Sequence, residues 1–252
     1  MPASRTENIN NLFFEGHYKE IWRDLIPEEL TVREIDFIIQ HFDLKPGNRV
    51  LDMMCGYGRH AISLARKGIH VTAVDNLNDY ILEIKKKSEE ENLPIICIES
   101  DVINFKPIDV YDLAICMGNS LNFFDEQDTL KLMNTISSRM KPGGRFLIHT
   151  WSLAEIVPKN FKEKSWSYVG DFKFLTDNKY LFNPSRIEAE YFFIASDGTA
   201  EKKIGIDYIF SINEIRAMLK KFDFEIKDIY SIPGKKKFTL GEPRAYIVAA
   251  KV

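Results

Sequence analysis

The stretch Gly56-Tyr57-Gly58-Arg59-His60-Ala61 carries two glycines and a small residue at GxGxxA spacing, between an apolar run and a helical pattern. Glycines at such a turn let the backbone approach a ligand closely, and the helix that follows offers its first N–H groups. The pattern alone serves many nucleotide-like ligands, so the surrounding carboxylates must narrow the chemistry. Asp52 precedes the turn, Asp75 lies seventeen residues after Gly58, and Asp101 follows later, each near the carboxyl end of a successive apolar run. Open α/β sheets bind their ligands at that end of the strands. Asp75 can accept both hydroxyls of a ribose. Asp101 can accept an amino proton of a base while Val102 packs on the ring, and Asp52 suits an ammonium group close to the turn.

A second group of residues points to an acceptor. Met117-Gly118-Asn119-Ser120 follows the fourth apolar run, where Asn119 could orient a nucleophile or, with Ser120, simply form the turn. His149 ends the fifth run and is placed to take a proton, although a hydrogen-bonded core histidine fits there too. Arg59 suits either a ligand carboxylate at the helix N-terminus or the protein surface, and His60 suits packing under the turn. Tyr18 and Trp22 recur at helical spacing near the start of the chain. They suit a core, but Tyr18 is also the candidate lid over a site that must be kept dry.

These residues need a scaffold, and the periodicity supplies one. Helical patterns cover residues 9 to 24 and Thr31 to Phe42, and Pro46-Gly47 then breaks the chain. The first strand is read at Val50 to Met54. A helix from Arg59 to Lys67, a strand from Ile69 to Val74 ending at Asp75, and a helix from Asn78 to Glu91 follow. Next come strands Ile95 to Ile98 and Leu113 to Met117, a helix Gln127 to Met140 and a strand Arg145 to His149. This alternation predicts a doubly wound, mostly parallel sheet. From Ser165 to Phe210 the pattern changes to short alternating runs separated by Asn183-Pro184 and Asp197-Gly198, which predicts an antiparallel insertion after the fifth strand. Ser211 and Glu214 form a capping-box signature for a helix to Lys221, and Phe224 to Tyr230 and Ala245 to Ala250 supply two final strands.

Composition bounds the rest. The 252 residues are 45% hydrophobic and 28% charged, enough for one large core with an elaboration. The polar start Met1 to Asn11 lacks the apolar run of a signal peptide, and no stretch is long and apolar enough to span a bilayer, so a cytoplasmic protein without a membrane partner is expected. A net charge of -3 offers no general attraction for nucleic acid, and the short basic runs Lys85 to Lys87 and Lys235 to Lys237 read as solvated faces. Cys55, Cys97 and Cys116 lack the CxxC or Cys/His spacing of a metal site and read as buried thiols.

Val50-Leu51-Asp52-Met53-Met54-Cys55-Gly56-Tyr57-Gly58-Arg59-His60, Val74-Asp75, Ser100-Asp101-Val102 and Lys141-Pro142-Gly143-Gly144 resemble, in order, the motifs of Rossmann-like S-adenosylmethionine-dependent methyltransferases. The resemblance covers roughly residues 45 to 150. It departs at Met54, which stands where the first of three alternating glycines belongs. It implies a seven-stranded sheet of order 3-2-1-4-5-7-6 with the last strand antiparallel. It also implies S-adenosylmethionine as cofactor, held by Tyr18, Asp52, Gly56, Gly58, Arg59, Asp75, Asn76, Asp101, Val102, Met117 and Gly118, with Asn119 and His149 as candidate catalytic residues. The expected reaction is methyl transfer to nitrogen or oxygen of a small molecule, and the insertion resembles that of small-molecule N-methyltransferases, including those acting on nucleotide-linked amino sugars. The expected organisation is leading helices over 1–44 as a candidate lid, a methyltransferase domain over 45–164 and 211–252, and a cap over 165–210 that is also a candidate homodimer surface. Two other classes fit parts of the pattern: an NAD-dependent dehydrogenase, and a non-catalytic module that holds S-adenosylmethionine.

Overall fold

The computed structural model describes residues 8–16 and 18–252; residues 1–7 and 17, which hold most of the polar start, lie outside them. After a 3-10 turn at Ile9–Leu12, the elements in chain order are α1 (Tyr18–Asp24), α2 (Glu28–His41), β1 (Arg49–Met53), α3 (Arg59–Ala65), β2 (His70–Asp75) and α4 (Asn78–Glu91). They continue with β3 (Ile95–Glu99), β4 (Tyr111–Cys116), α5 (Glu126–Ser137), β5 (Met140–Thr150) and α6 (Val157–Asn160). Four strands follow: β6 (Lys164–Val169), β7 (Phe172–Phe182), β8 (Ser185–Ile194) and β9 (Ala200–Tyr208). The chain ends with α7 (Ile212–Lys220), β10 (Phe224–Ile232), β11 (Lys236–Lys237) and β12 (Ala245–Lys251). Two compact units result, one of Glu28–Asn160 with Phe210–Val252, the other of the residues up to Pro27 with Phe161–Ile209.

The larger unit is built on a sheet of order β11-β10-β12-β5-β4-β1-β2-β3. Strands β3, β2, β1, β4 and β5 pair in parallel, while β12 runs antiparallel to both β5 and β10. Apart from the two-residue edge strand β11, this is the expected 3-2-1-4-5-7-6 order; a strand of two residues is too short to leave a periodicity in sequence. Alternate residues Val50, Ala73, Ile115, Leu147 and Val248 pack against Ile38 of α2, Leu64 of α3 and Ile84 of α4. Each such Val, Leu or Ile side chain removed from water contributes roughly 1.5–3 kcal/mol.

Pro142-Gly143-Gly144, which falls between the helix read to Met140 and the strand read from Arg145, lies inside β5. Tyr111 of β4 faces Met140 and Leu113 faces Arg145, so Asp112 alone stands opposite a bulge from Lys141 to Gly144. Gly143, with φ of 70°, makes the bulge possible.

In the smaller unit, β6, β7, β8 and β9 form an antiparallel sheet in sequential order. Its core holds Phe13, Tyr18, Ile21, Val169 and Phe193. Gly205 belongs here for a packing reason, since a Cβ would sit 3.1 Å from the Phe13 ring. The leading segment is therefore divided after Pro27, its first part grouping with the antiparallel sheet and α2 with the larger unit.

Candidate active site

Strands β1, β2 and β4 end at one edge of the sheet, and the loops leaving them carry most of the expected residues. After β1 the backbone passes through Met54, Gly56 and Gly58 with φ of 54°, 57° and 80°. Met54 thus adopts the left-handed conformation of the glycine it replaces, at a cost of roughly 1 kcal/mol for a side chain. The two glycines serve different ends. A Cβ on Gly56 would meet nothing within 4 Å, leaving open space beside the backbone, whereas one on Gly58 would lie 2.5 Å from Cγ1 of Ile84. Gly58 therefore lets α3 and α4 pack closely.

Asp75 joins the end of β2 to this turn. Its Oδ2 accepts the Gly56 N–H at 2.8 Å and its Oδ1 the Leu77 N–H at 3.0 Å. Burial pushes its pKa up against these bonds and a third from the Asn76 N–H. The Asp75 carbonyl in turn accepts from Ser100 at 2.9 Å, which brings the end of β3 alongside. There Asp101 accepts from the Ile103 N–H at 2.9 Å and from Asn104 at 3.2 Å, and Val102 is buried.

Asp52 is almost fully buried on β1. Its Oδ2 has no hydrogen-bond partner among the described residues, although the Ala61 N–H bonds to the carboxylate. Burial pushes its pKa up to about 7 against the pull of Arg59, and the neighbouring charge of Asp75 adds to the rise. A buried carboxylate oxygen left unmet is costly, so the site fits a cationic group that would meet it.

On the acceptor side, Gly118 and Asn119 turn the chain after β4 with φ of 71° and 70°. Asn119 is not free to orient an acceptor as expected. Its Oδ1 accepts from Thr150 at 3.0 Å and from the N–H groups of Trp151 and Ser152 at 2.9 and 3.0 Å, and its Nδ2 donates to Ser152 at 2.9 Å. It fixes the loop after β5. Met117 is buried, and its carbonyl accepts from the Ser120 hydroxyl.

His149 also departs from expectation. The Gly118 N–H donates to Nδ1 at 3.3 Å, so the neutral ring carries its proton on Nε2, which has no partner among the described residues. Burial pulls its pKa down to about 3 despite the nearby carboxylate of Glu34. A neutral ring with its unpartnered nitrogen already protonated is a donor, not a general base.

Arg59 does not point into open space for a ligand carboxylate. Its Nη1 donates to Glu34 at 2.6 Å and to Thr31 at 3.1 Å. Glu34, wholly buried on α2, also meets His60 Nε2 at 3.0 Å and the Tyr246 hydroxyl at 2.7 Å. Burial pushes Glu34 up, but the His60 hydrogen bond and the Arg59 charge outweigh it and hold the carboxyl well below its usual range. Tyr246 stacks flat on His149, centroids 4.2 Å apart. Sequence reasoning missed Glu34 and Tyr246. The available signal was an acid at i−3 and i−4 from Phe37 and Ile38, on the apolar stripe of its helix. Tyr18, the candidate lid, lies in the smaller unit, buried with Phe13 at 4.4 Å and Phe193 at 5.6 Å.

A parallel sheet of this order, with acids and a glycine turn at its carboxyl edge, is a fold shared with S-adenosylmethionine-dependent methyltransferases. Residues 50–144 match the family model described as a methyltransferase domain. The glycine/sarcosine N-methyltransferase of Aphanothece halophytica is 26% identical over 171 residues; the match takes in 66% of this chain and 64% of that relative's length. Among solved structures, an S-adenosylmethionine-dependent methyltransferase from Clostridium acetobutylicum aligns with a TM-score of 0.78 at 20% identity, covering 93% of this chain and 96% of that one. The amino pentose methyltransferase CalS10 from Micromonospora echinaspora aligns with a TM-score of 0.71 at 15% identity, covering 98% and 100%.

Proposed function

We propose that this chain transfers the methyl group of S-adenosylmethionine to the nitrogen of a small amine. The observation that carries the cofactor part is the Asp52 carboxylate, buried with one oxygen unmet, beside a glycine turn whose Gly56 faces open space. When bound, S-adenosylmethionine supplies an electrophilic methyl group on a sulfonium. Asp52 would meet its ammonium, Asp75 and Asn76 its ribose, and Asp101 with Val102 its adenine. The protein's own contribution is alignment and exclusion of water.

His149 supports nitrogen over oxygen. An alcohol acceptor needs a base to remove its proton, and a histidine held neutral to about pH 3 with its proton on Nε2 is a poor one. A neutral amine attacks with its own lone pair and loses its proton afterwards. His149 would then donate from Nε2 to an oxygen of the acceptor. The likeness to a glycine/sarcosine N-methyltransferase and to an amino pentose methyltransferase supports an amine bearing polar oxygen groups. The antiparallel sheet of the smaller unit, with Tyr18 in its core, is the proposed determinant of acceptor choice.

Two measurements test this. S-adenosylhomocysteine should raise the melting temperature and NAD should not, because a ligand that binds the native state stabilises it by mass action. Methyl transfer from radiolabelled S-adenosylmethionine should appear with small amines and not with the corresponding alcohols. A larger shift with NAD would make the chain a dehydrogenase, and binding without transfer to any amine would leave a non-catalytic module.

A further inference from the structure

We infer that Glu34 is a positioning residue whose task is to hold Arg59 away from Asp52, so that Asp52 stays open to a cationic ligand group. The inference rests on the reading of Asp52 given above and concerns how this fold keeps that carboxylate available.

Arg59 and Asp52 belong to the same short stretch of chain. Asp52 lies on β1 and bonds the N–H of Ala61, two residues beyond Arg59 on the first turn of α3. The guanidinium is close enough for its charge to favour ionised Asp52. A planar fork of five donors beside a buried carboxylate would ordinarily form a direct pair with it. Yet Asp52 Oδ2 has no partner among the described residues.

The reason is a competing acid. Glu34 Oε2 takes Arg59 Nη1 at 2.6 Å, and Thr31, three residues earlier on α2, takes the same nitrogen at 3.1 Å. Glu34 cannot easily follow Arg59 elsewhere, because His60 holds its Oε2 at 3.0 Å and Tyr246 donates to its Oε1 at 2.7 Å. The pair is buried, with 10% and 1% of the two side chains exposed, so solvent does not weaken it. One anion thus captures the cation that would otherwise neutralise the other.

The test is a double-variant comparison of S-adenosylhomocysteine affinity by calorimetric titration at pH 8.5. E34Q releases Arg59 and should weaken binding at least tenfold. E34Q/R59M removes the competitor and should bind as R59M does, within about twofold and at least fivefold tighter than E34Q. An E34Q/R59M variant as weak as E34Q would overturn the inference, because Glu34 would then act only through the structure. R59M as weak as E34Q would overturn it too, since Arg59 would itself hold the ligand. Should E34Q fail to fold by circular dichroism, E34D and E34D/R59M replace it, the aspartate withdrawing the carboxylate by one methylene. Unchanged affinity in E34D then counts against the inference. D52N separates the two readings: wild-type affinity in D52N refutes the role of Asp52, whereas weak D52N with no recovery in E34Q/R59M refutes only that of Glu34.

Discussion

Replacing Asp52 with Asn should make the protein more stable and a poorer binder of S-adenosylmethionine. The stability part follows from burial. Asp52 has its pKa raised from 3.8 to about 7, a difference of about 3 units, which at roughly 1.4 kcal/mol per unit amounts to about 4 kcal/mol. The sign is set by linkage: an acid whose folded pKa is raised leaves the fold unpenalised below the unfolded value and costs stability as pH rises towards the folded one. The advantage of D52N over wild type should therefore be close to zero at pH 4, grow through pH 5 and 6, and level off above pH 7. At that plateau about 4 kcal/mol corresponds to a rise in melting temperature on the order of 10 °C. The assay is denaturant unfolding of both proteins followed by circular dichroism at pH 4.5, 6 and 8.5, with calorimetric titration of S-adenosylhomocysteine at pH 8.5. D52N should lose at least tenfold in affinity there. A loss of stability in D52N at pH 8.5, or a gain that does not change with pH, would refute the claim that Asp52 is an uncompensated buried carboxylate.

Other substitutions probe the neighbouring contacts. D75A should weaken S-adenosylhomocysteine binding by about 1–3 kcal/mol, the scale of hydrogen bonds to a charged group, measured by the same titration. G58A should destabilise by about 2–4 kcal/mol in denaturant unfolding, because its Cβ overpacks against Ile84 at 2.5 Å and its φ is 80°. H149N should leave the shape of the pH profile of turnover unchanged between pH 5 and 8, since His149 does not titrate in that range; a shifted midpoint would restore it as a base.

The parallel sheet was legible because its central strands are buried on both faces and read as apolar runs with few interruptions, as in Leu113 to Cys116 and, broken only by Thr72, Val71 to Val74. Asp52, Asp75 and Asp101 drew attention as candidates because they lie at or near the carboxyl ends of successive strands. What stayed hidden depends on contacts distant in sequence. Nothing near Arg59 announces that Glu34, 25 residues earlier, takes its charge, or that Tyr246, 212 residues after Glu34, shares the same carboxylate. Asn119 and His149 were placed correctly at strand ends, but their roles turn on which atoms their neighbours occupy: three donors on Asn119 Oδ1 and the Gly118 N–H on His149 Nδ1.

Asp52 and His149 share one property that ties the stability argument to the chemistry. Strand register sets Asp52 opposite Ile115 and Ile115 opposite Leu147, so Asp52 and His149, two residues beyond Leu147, project from the same face of the sheet. Each buries a polar atom without a partner among the described residues, an acceptor on Asp52 and a donor on His149. A fold selected for stability alone would have replaced both with apolar groups, because each unmet atom costs on the order of 1–3 kcal/mol. Their complementary character calls for a cationic group at Asp52 and an oxygen acceptor at His149. An ammonium-bearing cofactor beside β1 and an oxygenated amine beside β5 would satisfy both.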